Sequence, residues 1–237
     1  MPPEPRARQP KPGLSSLPIP NSIQRIPRIS VLDILSDRPH TLVLRVNWGA
    51  EGRRILKVVS STKLVRVEFS LTFLQFTKSQ PSFLTDPLIS ETVAYGMLSS
   101  AQTPSVPHCY GWIKPRKISK FLPHVDLERY APVFLEALTE NENRCAAVLI
   151  EEVPGLPATA ETLTPPLLDQ ALQALAGIHA AGVLHCDTVP RNLLVSHDGK
   201  SVWWIDFDFS RNSIQWEIDD AEWGLEMTLA ENQLKEI

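Results

Sequence analysis

His185-Cys186-Asp187-Thr188-Val189-Pro190-Arg191-Asn192 and, further on, Ile205-Asp206-Phe207-Asp208 decide the reading of this chain. The first run spells H-x-D-x-x-x-x-N. The second sets two aspartates around a phenylalanine at the end of an apolar stretch. Between them, residues 193–196 and 202–206 are short apolar runs around His197-Asp198-Gly199-Lys200, which predicts a hairpin. Both polar runs therefore lie on loops at strand ends, where chemistry-bearing side chains are commonly displayed.

Working outward, Leu168, Ala171, Leu172, Leu175, Ile178 and His179 recur at i, i+3, i+4, i+7 spacing, which predicts an amphipathic helix. Thr164-Pro165 opens it and Gly182 ends it. Residues 146–151 read as a short apolar strand leaving through Glu152-Val153-Pro154-Gly155. Nearer the N-terminus, residues 28–35, 41–47 and 53–59 are rich in Val, Leu and Ile. Asp37-Arg38-Pro39-His40 and Trp48-Gly49-Ala50-Glu51-Gly52 separate them as turns, so an antiparallel sheet is expected. Asp86-Pro87 supplies an N-cap and a proline at the first helical position, predicting a helix to about Ser99. Leu88, Val93, Ala94, Met97 and Leu98 fall on its buried side. Residues 65–76 fit either a strand or a helix. Residues 108–113 read as a strand, 114–143 as a polar, proline-marked insertion with one helix near 132–139, and 218–237 as an acidic helix. No internal repeat is present.

Composition narrows the function classes. A hydrophobic content of 43% with 21% charged residues is that of an ordinary soluble globular protein. The net charge of −4 gives no footprint for general nucleic-acid binding. Cys109, Cys145 and Cys186 are odd in number and widely spaced, so neither a disulfide framework nor a zinc site is expected. A reducing intracellular compartment, cytoplasm or nucleus, follows as the expectation. No apolar run approaches the ~18 residues of a membrane span, and the first residues lack the apolar core of a secretory leader. Residues 1–28 carry Arg6, Arg8, Lys11, Arg25 and Arg28 against Glu4, with eight of the 21 prolines. That segment reads as a disordered basic arm, either docking a protein partner or serving as an inert extension.

Phosphoryl transfer from a nucleotide needs a carboxylate to orient the acceptor hydroxyl and oxygen ligands to hold Mg²⁺ against the phosphates. Asp187, Asn192 and Asp206 are residues of those types in that order. The H-x-D-x-x-x-x-N and D-F-D runs, with the helix before them, resemble the catalytic loop and metal-binding segment of the protein-kinase-like superfamily. They look most like the compact, atypical kinase-like proteins numerous in filamentous fungi. The resemblance implies an α+β, bilobal fold, with an antiparallel N-lobe sheet plus one helix and a shortened, mainly helical C-lobe. The arm would cover 1–28, the N-lobe 29–150 with its insertion at about 114–143, and the C-lobe 151–237.

On that resemblance Asp187 would be the catalytic carboxylate, and Asn192 and Asp206 would ligate Mg²⁺. Arg54-Ile55-Leu56-Lys57 looks like the strand that sets a lysine on the ATP phosphates. Glu91 would be its helix partner, with Glu68 the rival if 65–76 is the helix. Ile150, Glu151 and Val153 would border the adenine, with Ile150 at the back of the pocket. The chain departs from the family pattern in several places. No G-x-G-x-x-G joins the first two strands, and Asp208 stands where glycine is usual. Val189 replaces a lysine, a role left to Arg191, and no A-P-E follows. The resemblance thus implies an ATP- and Mg²⁺-dependent phosphotransferase acting on a protein or small-molecule hydroxyl. A pseudokinase, binding nucleotide or acting as a scaffold without catalysis, is the alternative.

Overall fold

A computed structural model describes residues 19–60, 65–66, 84–85, 87–122, 125–138 and 144–237. The chain is a mixed α+β protein built on a five-stranded antiparallel sheet. Strand β1 (Ile29–Arg38) pairs with β2 (Thr41–Trp48), which pairs with β3 (Arg53–Ser60). The two-residue strands β4 (Val65–Arg66) and β5 (Leu84–Thr85) pair apart from the main sheet. Helix α1 (Pro87–Ser100) and strand β6 (Cys109–Lys117) follow, then short helices α2 (Ile118–Phe121), α3 (Leu127–Tyr130) and α4 (Pro132–Ala137), and strand β7 (Arg144–Glu151). The sheet order is β1-β2-β3-β7-β6.

Period-2 alternation decides which face each side chain takes. In β2, Leu42, Leu44, Val46 and Trp48 are buried on one face, while Thr41, Val43 and Arg45 line a cavity on the other. The same alternation in β3 buries Leu56 and Val58 behind the sheet and turns Ile55 and Lys57 to the cavity. The first face is covered by Ile118, Leu122, Leu127, Ala131, Phe134 and Leu138. This corrects the expectation of a polar insertion at 114–143. Residues up to Lys117 continue β6, and α2–α4 are a covering layer that the sheet requires to bury its second apolar face. Asp37, read in the sequence only as a turn residue, accepts the backbone N–H groups of Val133 and Phe134 at 3.0 and 2.8 Å and pins α4 to the end of β1.

The disordered-arm expectation also needs correction over residues 19–28. Ile23 N–H donates to Trp112 O at 2.7 Å, and Trp112 N–H donates to Asn21 O at 3.2 Å. Ile23 and Ile26 pack on the layer behind the sheet. Gly111 makes this approach possible: its φ is +142°, and a Cβ there would lie 2.4 Å from Asn21 O. Residues 1–18, Asp86, Glu68 and most of 65–76 lie outside the described residues.

Beyond β7 the chain forms β8 (Gly155–Pro157), helix α5 (Pro165–Ala180), β9 (Val183–Leu184), β10 (Leu193–Ser196), β11 (Val202–Trp204), β12 (Arg211–Asn212) and helix α6 (Asp220–Lys235). α5 starts at Thr164-Pro165 as the sequence signals, with Leu167, Ala171, Ala174, Leu175 and Ile178 buried. Asp219 and Glu222 close a capping box on α6. The buried residues of α6 are Glu226, Ala230 and Leu234. A large apolar cluster joins α1, α5, β9–β11 and α6, with Trp204 at its centre donating its indole N–H to Ala171 O at 2.9 Å. No helix among the described residues is long and apolar enough to cross a membrane.

Candidate functional site

A cavity of about 490 Å³ lies between the sheet and the β8–β11 region. Its walls are apolar, with Val43, Ile55 and Ile150 on one side and Leu156, Leu194 and Ile205 on the other. Lys57 projects into it from the middle of β3, whose register places Lys57 opposite both Val43 and Val148. Its ammonium lies 3.0 Å from Glu91 of α1, bonds Asp206, and lies 3.5 Å from Asp208. Glu91 is thus the helix carboxylate beside Lys57.

One buried ammonium facing three carboxyls sets the electrostatics. Burial alone would lower the Lys57 pKa, but Asp206, Asp208 and Glu91 outweigh it and hold the ammonium well above its usual value. Burial also raises Asp206, yet the adjacent Lys57 charge and hydrogen bond pull it below the usual carboxylate range. A single cation cannot serve all three acids. Burial, reinforced by repulsion from the other carboxylates, pushes Glu91 up to about 8 and Asp208 up to about 6 against the pull of Lys57. Asp208 Oδ1 is buried with no hydrogen-bond partner. Both aspartates follow from local geometry: Asp206 sits at φ 69°, ψ 66°, and a single 3₁₀ turn, Phe207–Phe209, brings Asp208 round beside it. The left-handed conformation of a non-glycine residue costs roughly 1–2 kcal/mol, so the surrounding contacts must hold it. Those contacts include Phe207, whose buried ring packs edge-on against Tyr95 of α1 at 5.3 Å and lies tilted against His185 at 4.6 Å.

The second polar loop is held from several sides. His185 is fully buried; its Nε2 donates to Ile205 O at 2.9 Å, and burial lowers its pKa, so the ring is neutral. Cys186 adopts φ 63°. Asn192, ending the 3₁₀ turn Pro190–Asn192, donates from Nδ2 to Asp187 O at 2.9 Å and to Asp187 Oδ2 at 2.8 Å. Arg191 also donates to Asp187 Oδ2, at 2.8 Å. Asp187 is therefore held by two local donors, and Asn192 keeps its amide oxygen directed elsewhere. Arg191 and Asn192 both line the cavity, and the Asp187 charge is felt by Asp208 and His185.

Ile150 sits in the cavity wall as the sequence places it. Glu151 and Val153 line the same cavity, while the Glu151 N–H donates to His108 O at 2.8 Å and its carboxylate accepts His108 N–H at 3.0 Å. Among the described residues, the N–H groups of Glu152 and Val153 have no hydrogen-bond partner. Arg45 bridges Asp33 and Glu152 at 2.9 and 2.7 Å, tying the sheet to this connecting segment.

Two functional residues escaped the sequence reading. Asp208 stands where the family pattern has glycine and so carries no expected role; the Phe207–Phe209 turn nevertheless brings it within 3.5 Å of the Lys57 ammonium. Glu226 gave no motif signal. From α6 its carboxyl accepts His185 N–H at 3.0 Å and Cys186 N–H at 2.5 Å, and lies 2.6 Å from His179 Nε2. It is 2% exposed and grips the backbone immediately before Asp187. Residues 218–237 read in the sequence only as an acidic helix, and nothing in that run singled out Glu226. No family model matches this chain, and no curated protein matches it in sequence.

Proposed function

We propose that this chain is a protein-kinase-like phosphotransferase of two lobes, using ATP and Mg²⁺ to phosphorylate a hydroxyl group on a protein or small molecule. One observation carries the reading: Lys57 of the sheet, Glu91 of the helix and Asp206 of the second polar loop converge on a cavity that Asn192 also lines. The sheet order with a single long helix, joined through residues 152–154 to the helical half, supports the two-lobed organisation.

The donor set fits a hard divalent cation. Asp206, Asp208 and the Asn192 amide oxygen are oxygen donors, Asp208 Oδ1 is an orphaned buried acceptor, and the acids outnumber Lys57. Among the described residues no three His, Cys, Asp or Glu side chains form a ready-made metal centre. That suits Mg²⁺, which relies on phosphate oxygens and water for much of its shell. When bound, the ion would neutralise charge on the transferring phosphate.

The chain's own groups do the rest. Lys57 sets a fixed positive charge on the phosphates. Apolar walls at Ile55, Ile150 and Leu194 take the flat faces of the base, and Val153 N–H offers it an edge donor in place of Glu151. Asp187, oriented by Asn192 and Arg191, accepts the proton of the acceptor hydroxyl. The second reading, a nucleotide-binding scaffold without catalysis, is favoured by the Pro39-His40 tip that stands where glycines would approach the phosphates.

A thermal-shift titration with ATP, with and without Mg²⁺, tests the reading. A ligand near 100 Kd stabilises the folded state by about 2.7 kcal/mol. A Mg²⁺-dependent shift is expected, lost in Asp206→Asn and kept in Asp187→Asn, whose phosphoryl transfer should be abolished. Turnover unchanged by Asp187→Asn overturns its role, and a Mg²⁺-dependent shift without turnover selects the scaffold.

A further inference from the structure

Arg38 is the last residue of β1 and faces Thr41 across the two-residue turn Pro39-His40. Pro39 has no N–H, so this tip cannot present the run of backbone amides with which a glycine loop cradles phosphate. It is also anchored from behind, since His40 O accepts Ser60 N–H at 3.0 Å. Two register shifts in β1, between Val31 and Asp33 and between Ile34 and Ser36, bend the strand on its way to the tip.

Four cationic side chains line the main cavity: Arg38, Arg45, Lys57 and Arg191. Three are already engaged. Arg45 bridges Asp33 and Glu152, Lys57 faces Glu91, Asp206 and Asp208, and Arg191 pairs with Asp187. Arg38 has no ion-pair partner among the described residues and is exposed at the mouth. It lines the same cavity as Lys57, Asp206 and Asp208.

We propose that Arg38 is the phosphate-holding residue of this cleft, its guanidinium gripping terminal phosphate oxygens where other folds use backbone amides. A guanidinium offers a planar fork of donors matched to two phosphate oxygens, which an ammonium does not. The rigid proline tip keeps that fork above the cavity. This assignment rests on the nucleotide reading above and supplies the device that the missing glycines leave unfilled.

Calorimetric titration of the full chain with ATP, adenosine and inorganic tripolyphosphate, for the wild type, Arg38→Ala and Arg38→Lys, tests it. Arg38→Ala should weaken ATP and tripolyphosphate at least tenfold, the effect of losing a charge-assisted hydrogen bond, and leave adenosine within about twofold. Arg38→Lys should recover only part of the loss. An unchanged unfolding temperature for both variants confines the effect to binding. ATP affinity within about twofold of wild type in Arg38→Ala overturns the proposal, as does an equal loss of ATP and adenosine. A wild type that binds neither ATP nor adenosine refutes the nucleotide reading instead; the tripolyphosphate arm then decides whether Arg38 is an anion site in its own right.

Discussion

Replacing Glu226 by glutamine tests how the loop before Asp187 is held. The carboxyl receives three donors: His185 N–H and His179 Nε2 at Oε2, and Cys186 N–H at Oε1. A carboxamide of the same shape has one acceptor oxygen. If that oxygen serves His185 and His179, the amide NH₂ faces Cys186 N–H, donor against donor, in a site only 2% exposed. One strong hydrogen bond is lost and a buried donor is left unsatisfied, together costing about 2–4 kcal/mol. For a chain of this size that lowers the unfolding temperature by roughly 5–15 °C. Urea unfolding and a thermal scan read the effect, with Glu231→Gln as the control. Glu231 lies on the same helix, pairs with Lys235 at 2.5 Å and is exposed, so its loss should change stability by less than about 0.5 kcal/mol. Function sharpens the test. Cys186 is held at φ 63°, and a freed N–H lets the backbone relax and carry Asp187 with it. Phosphoryl transfer should fall at least tenfold while ATP binding stays within about twofold. A Glu226→Gln protein as stable as the control refutes the reasoning.

Two further outcomes follow from other parts of the fold. In metal-free protein, burial and the neighbouring carboxylates raise Asp208 from 3.8 to about 6, so its favourable contribution is fully present below pH 3.8 and lost as pH rises through about 6. The rise corresponds to about 3 kcal/mol as an upper bound. Asp208→Asn should therefore be about 1–3 kcal/mol more stable than wild type near pH 8 in EDTA and equal to it near pH 4; equal urea midpoints at both pH values count against it. Gly111→Ala would drive a Cβ into Asn21 O and should release residues 21–23 from β6 at a cost of about 2 kcal/mol for two backbone hydrogen bonds. Faster amide exchange at Ile23 and Trp112, with the sheet core still protected, is the expected reading, and unchanged exchange would sink it.

What the sequence determined by itself is local. Val-, Leu- and Ile-rich runs at 41–47 and 53–59, parted by the turn at Trp48-Gly49-Ala50-Glu51-Gly52, implied antiparallel strands, and β2 and β3 pair in that way. The helix of Pro165–Ala180 was legible from its 3.6-residue period and its Thr164-Pro165 start. Asn192 reaches Asp187 across five residues, inside one turn, so spacing alone was enough to put them together. The resemblance, not the spacing, implied Glu91 as the helix partner of Lys57 with Glu68 as the rival, and Glu91 is the helix carboxylate 3.0 Å from the Lys57 ammonium.

Tertiary structure decided what depends on elements distant along the chain. Residues 114–143 read as a polar insertion because the apolar side chains within it follow no long period; only the bare second face of the sheet shows what those of α2–α4 cover. Residues 19–28 looked disordered because their few isoleucines bury little surface until Gly111 lets the backbone dock. Glu226 lies 40 residues from the Cys186 N–H it accepts, and one acidic residue in an acidic helix carries no mark of burial. Asp208 needed the left-handed turn at Asp206 to bring it beside Lys57. Short-range spacing is written in covalent geometry, whereas a buried charge finds its partners only when packing brings distant segments into one low-dielectric site.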